Sequence, residues 1–167
     1  MEMHHFFVVG VSYKTANIDH RGKFSLNDTQ HHALFLEAQK QKIKDLIVVN
    51  TCNRTELYAW VPDSEILINL LCNHSDGDRE FFEQIGYTLQ GEEGINHVFR
   101  VGTGLESQIV GDFEIIGQIK QSFFRSKKIY HPSELPNKQN VILPFLNNSR
   151  LLKKRLERNY DCNFIFL

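Results

Sequence analysis

Short strand-like runs alternate with segments of helical spacing along the first ninety residues, and this alternation constrains the fold more than any other feature. The runs are residues 6–11, 46–49, 57–61 and 87–90, each of the length of a buried strand. Apolar residues at helical spacing separate the first run from the second and the third from the fourth. The order predicts an α+β fold, a ferredoxin-like antiparallel sheet with helices on one face, followed by a helical extension.

Two helices are expected within this alternation. The first should begin at Asn27 or Asp28 and end near Gln41, and the second should be capped by Asp63 or Ser64, because these residue types favour the N-cap. A further short helix is expected around residues 81–85. The predicted apolar faces of the first two helices are Ala33, Leu34, Leu36 and Ala38, and Ile66, Leu67, Leu70 and Leu71.

Helical character continues after Gly91. Gly102 and Gly104 should end one helix, and Gly111 should open another that reaches about Lys127. Two prolines then interrupt the pattern at residues 132 and 136. We therefore expect an α+β catalytic subdomain over residues 1–90, a helical part of the same domain over 91–127, and an atypical tail or linker over 128–167.

The connection between the second and third strands is a polar stretch, Asn50 to Glu56, that contains Cys52. Because no Gly or Pro punctuates it, the stretch predicts a structured loop and not a simple turn. Such a loop would expose the thiol at the rim of the sheet, and the charge of Arg54 would favour the thiolate. A nucleophile needs that setting. The alternative is that Cys52 is an inert small hydrophobic residue, as many free cysteines are.

Charge and cysteine content bound the class of protein. With 19 basic and 20 acidic residues, no net field attracts the chain to nucleic acid, so binding of tRNA would need a local basic patch. Cys52, Cys72 and Cys162 are odd in number and form no zinc-ribbon spacing, which argues for a reducing compartment without disulfides. With no signal peptide and no apolar run of membrane-spanning length, we expect a cytoplasmic protein that contacts no membrane.

Three blocks of sequence resemble a known family in content, order and spacing. They are GVSYKTA at residues 10–16, NTCNRTE at residues 50–56, and HVFRVGTGLES at residues 97–107 followed by GDFEIIGQ at residues 111–118. Over roughly residues 6–127 the chain resembles the N-terminal catalytic domain of glutamyl-tRNA reductase, an enzyme of tetrapyrrole and porphyrin biosynthesis.

The resemblance implies a reaction and residues for it. The Cys52 thiolate would attack the ester that joins glutamate to tRNA, and NADPH would reduce the resulting glutamyl thioester to glutamate 1-semialdehyde. His97 matches the family's catalytic histidine, as a base or an orienting group, and an imidazole suits either role near neutral pH. The positions that match the family's substrate contacts are Thr51, Asn53, Arg54, Ser107, Asp112, Phe113, Glu114 and Gln118.

Within the resemblance, the charges of these side chains suggest which part of the substrate each would contact. Arg54 is expected to pair with the substrate carboxylate, in a bidentate geometry. Asp112 or Glu114 would receive the α-ammonium group, and either acid has an alternative reading as a charge at the start of a helix. Phe113 departs from the family, which has Pro or an acid there, so its substrate contact would be through the backbone.

The resemblance also sets the cofactor and the partners. No GxGxxG follows a strand in this sequence, so the NADPH domain of the family is expected to be absent, together with the dimerisation region. NADPH would bind the full-length enzyme and no cofactor would bind this chain, which should therefore reduce nothing by itself. The partners implied are glutamyl-tRNA and glutamate-1-semialdehyde aminomutase. No metal site is expected.

Three alternatives stay open. A metal-binding module would use His4-His5, His31-His32 and Cys72-x-His74, although none has a recognised ligand spacing. A non-catalytic RNA-binding domain would use the basic tail, Lys153, Lys154, Arg155 and Arg158, although such a run is usually a solvated helix face. The third alternative is an inactive remnant that keeps the fold.

Overall fold

A computed structural model describes residues 3–43, 46–109 and 114–130. After a 3-10 turn at Met3–His5, its strands are β1 (Phe6–Ser12), β2 (Ile47–Asn50), β3 (Arg54–Trp60) and β4 (Tyr87–Gln90). Its helices are α1 (Ile18–Gly22), α2 (Asp28–Lys40), α3 (Ser64–His74), α4 (Arg79–Ile85), α5 (Gly91–Gly102) and α6 (Glu114–Tyr130). The predicted α+β class and the ferredoxin-like order of strands and helices are confirmed.

The four strands form one antiparallel sheet in the order β2-β3-β1-β4. The two central strands pair along their whole length, from Phe6 opposite Trp60 to Ser12 opposite Arg54. Gly10 of β1 lies opposite Glu56 of β3 on one side and Tyr87 of β4 on the other. This register places Glu56 and Tyr87 on either side of a residue with no side chain.

Hydrophobic cores lie on both faces of the sheet. One face packs Phe7, Val9 and Val11 of β1 against α2, α3 and α4, as predicted. The helical extension, α5 and α6, covers the opposite face and buries Phe6 and Val8. Burial on both faces explains why β1 is a continuous apolar run and does not alternate with polar residues.

The predicted apolar face of α2 is wrong in half of its members. Asn27 begins the helix with a capping box completed by Gln30, as expected from its position. The buried residues of α2 are His31, Leu34, Phe35 and Ala38. Ala33 is exposed and Leu36 is 42% exposed. The observed set follows the i, i+3, i+4, i+7 spacing of one helix face and includes a histidine, which a search for apolar residues leaves out.

One element boundary and one whole element also differ from the prediction. β3 begins at Arg54, three residues before the predicted start, because its first residues are polar but nevertheless pair with β1 and β2. The one-turn helix α1 was not predicted. α5 ends at Gly102 as expected, and Gly104 has a positive φ of 78° that a residue with a side chain rarely adopts.

The last helix, α6, packs along β2 and contacts α5. Near its C-terminal end the hydroxyl of Ser126 donates to the carbonyl of Leu46, just before β2, at 2.6 Å. α6 therefore runs antiparallel to β2 and begins near the loop that joins β2 to β3. α6 extends to Tyr130, so it includes the first three residues of the predicted tail over 128–167, and the rest of that tail lies outside the described residues. Within the described residues, no helix is long and apolar enough to cross a membrane.

Candidate active site

The connection from β2 to β3 is a hairpin loop of three residues, Thr51 to Asn53. The N–H of Thr51 donates to the carbonyl of Arg54 at 2.8 Å, which closes the loop. The Thr51 hydroxyl accepts from the N–H groups of Asn53 and Arg54, both at 3.2 Å. The hydrogen bonds of the Thr51 side chain thus stabilise a turn that contains neither Gly nor Pro. The loop is tighter than the sequence indicated.

Both carbonyl groups at the tip of this loop accept hydrogen bonds from the segment that follows β1. Arg21 Nε donates to the carbonyl of Cys52 at 2.8 Å, and the N–H of Tyr13 donates to the carbonyl of Asn53 at 2.9 Å. The side chain of Asn50 bonds the backbone of Leu26 in both directions, at 2.7 and 3.2 Å. The loop backbone is therefore held from outside while the Cys52 side chain remains exposed.

A buried charged cluster lies between the sheet and α5, with Glu56 at its centre. The Glu56 side chain is 0% exposed and that of Arg54 is 3% exposed, and their charged groups bond at 2.9 Å. The hydroxyls of Tyr58 and Tyr87 also donate to Glu56. His97 of α5 bonds the same carboxylate through Nε2, at 2.9 Å.

The partners of Glu56 decide its protonation state. Burial alone would raise the pKa of this carboxyl group, but the hydrogen bond from His97 and the charge of Arg54 lower the pKa to about 2. Burial, followed by the charge of Glu56, raises the pKa values of Tyr58 and Tyr87 above the ordinary tyrosine value. At neutral pH the cluster is a carboxylate with neutral tyrosine donors and one guanidinium.

A second carboxylate, Glu106, fixes the segment after α5 against the hairpin loop. Its side chain, 8% exposed, pairs with Lys14 and with Arg100 Nε, the latter at 2.6 Å. Its backbone carbonyl accepts from Arg54 Nη2. The Tyr13 hydroxyl donates to the carbonyl of Ser107 at 3.2 Å. Burial raises the pKa of Glu106, but Lys14 and Arg100 outweigh it and lower that pKa below the ordinary value.

Comparisons with known proteins connect this geometry with a family. The family model described as the N-terminal domain of glutamyl-tRNAGlu reductase matches residues 9–136. The chain belongs to this family. Glutamyl-tRNA reductase of Christiangramia forsetii is 46% identical over 125 residues, which are 75% of this chain and 30% of the relative. Glutamyl-tRNA reductase 2 of Flavobacterium johnsoniae is 50% identical over 123 residues, 74% of this chain and 28% of the relative.

The chain thus spans less than a third of the length of these reductases. A solved glutamyl-tRNA reductase from Methanopyrus kandleri matches with a TM-score of 0.69 at 22% identity. That likeness covers 96% of this chain and 36% of the solved one. At this identity it shows that the two share a fold.

The structure brings several of the residues predicted from the reductase motifs to one end of the sheet. Thr51, Cys52, Asn53 and Arg54 lie in or beside the hairpin loop, and Ser107 is joined to it through Tyr13. Arg54 turns inward to Glu56 and the carbonyl of Glu106, so both of its terminal nitrogens have protein partners.

His97 joins the same group of residues through Glu56, which lies two residues along β3 from Arg54. Glu114 and Gln118 lie on the first turns of α6, exposed and half-buried respectively. Asp112 and Phe113 lie outside the described residues.

Sequence reasoning missed the residues that hold this site in place. Glu56 was noted only as the end of a motif, although an acid directly before the apolar run of a predicted buried strand was a signal in itself. Arg21, and not Arg54, is the arginine bonded to the Cys52 backbone. The remaining omissions are Tyr58, Tyr87 and Glu106.

Two of the histidines named for a metal-binding module make contacts of other kinds. His31 is buried with its ring 4.9 Å from that of Phe35, and His74 Nδ1 bonds the carbonyl of Leu70 at 2.8 Å. Across residues 3–43, 46–109 and 114–130, no three or more His, Cys, Asp or Glu side chains are grouped to hold a metal ion. The basic tail proposed for RNA lies beyond the described residues.

Proposed function

We propose that this chain is the catalytic N-terminal domain of a glutamyl-tRNA reductase and that Cys52 is its nucleophile. The observation that carries the proposal is the exposure of Cys52 at the tip of a loop whose two tip carbonyls are both held by the segment after β1. A fixed backbone with an accessible thiol suits attack on a bulky ester, since the sulfur need not be uncovered first.

The proposed step is a transfer of the glutamyl group from oxygen to sulfur. The Cys52 thiolate forms a bond to the ester carbonyl carbon, the bond to the ribose oxygen breaks, and tRNA leaves as its hydroxyl. The proton lost by the thiol is delivered to that departing oxygen, and His97 is the group proposed to carry it. The product is a glutamyl thioester on Cys52.

Substrate recognition is proposed for the residues that surround the loop. Thr51, Asn53 and Ser107 lie at this end of the sheet, and Glu114 and Gln118 lie on the first turns of α6. Asp112 and Phe113 remain predictions from the family motif. Arg54 would bind the substrate carboxylate only by sharing a guanidinium that already bonds Glu56 and Glu106.

Reduction of the thioester belongs to the full-length enzyme in this proposal. The sequence has no GxGxxG segment to hold the diphosphate of NADPH, so binding of that cofactor is proposed only for the full-length enzyme. No hydride step is assigned to them. Glutamyl-tRNA is the proposed substrate, and cytoplasmic location, dimerisation and contact with the aminomutase are proposed at the level of the whole enzyme.

The test is intact-protein mass after acid quench, with glutamyl-tRNA supplied and NADPH absent. The unaltered chain and a Cys72→Ser control are expected to gain one glutamyl group, whereas Cys52→Ser gains none. An adduct that persists in Cys52→Ser would assign the nucleophile elsewhere. Absence of any adduct, with no faster loss of the glutamyl ester, would overturn acylation by this domain unaided and favour the inactive-remnant alternative.

A second measurement addresses the reduction. The chain is incubated with glutamyl-tRNA and NADPH, and glutamate 1-semialdehyde is assayed. We expect none, because the sequence offers no GxGxxG segment for the nucleotide. Semialdehyde that depends on NADPH would contradict the division of labour proposed here.

A further inference from the structure

We propose that Glu56 is a positioning residue that holds His97 in the tautomer with its hydrogen on Nε2 and leaves Nδ1 as the nitrogen available to reacting groups. The assignment of the tautomer stands on the hydrogen bonds around Glu56. Only the use of Nδ1 in acyl transfer rests on the proposed function.

The hydrogen-bond donors around Glu56 determine which nitrogen of His97 is protonated. Arg54 Nη1 can only donate, and it lies 2.9 Å from Glu56 Oε1. The hydroxyls of Tyr58 and Tyr87 lie against Oε2 and Oε1. A carboxylate that accepts from these groups is ionised and has no hydrogen to give. The bond of 2.9 Å between Glu56 Oε1 and His97 Nε2 therefore needs a hydrogen on Nε2.

The sheet leaves Glu56 little freedom to offer any other arrangement. Its side chain passes over Gly10, where a Cβ atom would lie 2.8 Å from Glu56 Cγ. Glu56 is fully buried, while His97 keeps 14% of its side chain exposed. The carboxylate is thus the fixed member of the pair, and the ring of His97 is oriented by it. In a neutral imidazole that donates through Nε2, Nδ1 is the acceptor.

This assignment changes which atom performs the chemistry proposed for His97. A proton that leaves the Cys52 thiol is taken by Nδ1 and given from Nδ1 to the departing ribose oxygen. Nε2 keeps its hydrogen, and Glu56 stays ionised throughout. A carboxylate that orients a histidine and stabilises the imidazolium without taking the proton is a known arrangement in other enzymes.

The tautomer can be measured without substrate. Protein labelled with 15N in histidine is studied by NMR at a pH where the His97 ring is neutral, and the signals are assigned by loss in His97→Gln. We expect a protonated, pyrrole-like Nε2 and a bare, pyridine-like Nδ1. In Glu56→Gln the Nε2 and Nδ1 resonances should move toward each other. The glutamine amide can accept from a protonated Nε2 or donate to a bare Nε2, so both tautomers of His97 would be populated. In Tyr13→Phe, which removes a hydroxyl that does not contact Glu56, the two resonances should not move.

A protonated Nδ1 in the unaltered chain would overturn the proposal, as would resonances that Glu56→Gln leaves unchanged. The first of these needs no change at Glu56, so the proposal remains testable if Glu56→Gln does not fold. Acylation of Cys52 is then followed in the same variants. We expect Glu56→Gln to slow it by on the order of 10²-fold or more. Acylation of Glu56→Gln at the unaltered rate would show that Glu56 is not needed to position His97 for this step. Absence of acylation in the unaltered chain would contradict the proposed function and leave the tautomer intact.

Discussion

At the scale of single residues, the unusual feature is a carboxylate buried in a strand at the middle of the molecule. Glu56 is stabilised there because Arg54, His97 and two tyrosines supply it with donors. An isolated buried charge would cost several kcal/mol, and removal of one partner of such a pair exposes that cost. The loss of unfolding free energy on substitution of one of these partners therefore measures how much that partner stabilises the buried carboxylate.

Arg54→Met should destabilise the domain by about 3–5 kcal/mol, because it leaves Glu56 buried without its compensating charge. The matched control is Arg79→Met. Arg79 also pairs with two carboxylates, Glu65 and Glu83, but its side chain is 39% exposed. The control should lose about 1 kcal/mol or less. Urea unfolding measures both, and equal losses would mean that Glu56 finds another partner when Arg54 is removed.

The two described cysteines should differ in reactivity. Cys52 is exposed, whereas Cys72 is half-buried and burial raises the pKa of its thiol. In a Cys162→Ser background, iodoacetamide should alkylate Cys52 at least about 10-fold faster than Cys72 at neutral pH, as followed by peptide mass. In guanidinium chloride the two rates should converge. Faster alkylation of Cys72 in the folded protein would contradict the described burial.

At the scale of elements, β1 depends on Gly10 for its contact with β3. A Cβ atom at this position would lie 2.8 Å from Glu56 Cγ and 2.9 Å from Glu56 Cα, closer than such atoms approach each other. The neighbour is partly backbone and cannot rotate away. The pairing of β1 with β3, with the side chain of Glu56 packed over β1, therefore requires glycine at position 10.

Gly10→Ala should destabilise the domain by about 1–3 kcal/mol or more, since the strands must separate to admit the methyl group. Gly22→Ala is the control, because a Cβ atom there has no neighbour within 4 Å. That change should be neutral or slightly stabilising, through loss of freedom in the unfolded chain. Thermal unfolding of both variants measures the difference. A Gly10→Ala protein as stable as the control would contradict the register of β1 and β3.

Comparison of sequence with structure shows which elements could be predicted. Helices and strands with apolar periodicity were found, because burial alone specifies their pattern. The start of β3 and the buried face of α2 were misplaced, since Arg54, Glu56 and His31 are polar residues that the fold nevertheless buries. The same reason hid the site: the sequence identified Cys52 and His97 by motif, but the carboxylate that joins His97 to Arg54 became visible only in three dimensions.

At the scale of the whole molecule, buried ionisable groups couple stability to pH. Burial, then the charge of Arg125, lowers the pKa of His31 to about 4, whereas an unfolded histidine titrates near ~6.5. Between these values the unfolded state binds more protons than the folded state, so stability is full above about pH 6.5 and falls as the pH falls toward 4. Glu56, with its pKa of about 2, adds a second loss between about pH 4.5 and 2.

The free energy of unfolding should therefore drop by about 1–3 kcal/mol from pH 7 to pH 4 on account of His31. His31→Leu should flatten this upper part of the profile, whereas His32→Leu, at the exposed neighbouring position, should leave it unchanged. Urea midpoints at pH 7, 5.5 and 4 measure the slope. An unaltered slope in His31→Leu would assign the loss to other groups.

The order of strands in the sheet has a consequence for synthesis. β2 and β3 form a local hairpin that can close as soon as it leaves the ribosome, in roughly 1–10 μs. Among the described strands β1 pairs with β3 and β4, so these neighbours are made about fifty residues or more later. At roughly 5–20 residues per second the apolar run of β1 waits about 2.5 to 10 seconds for its strand partners. During that interval the nascent chain is most open to chaperones and to misassembly with its neighbours.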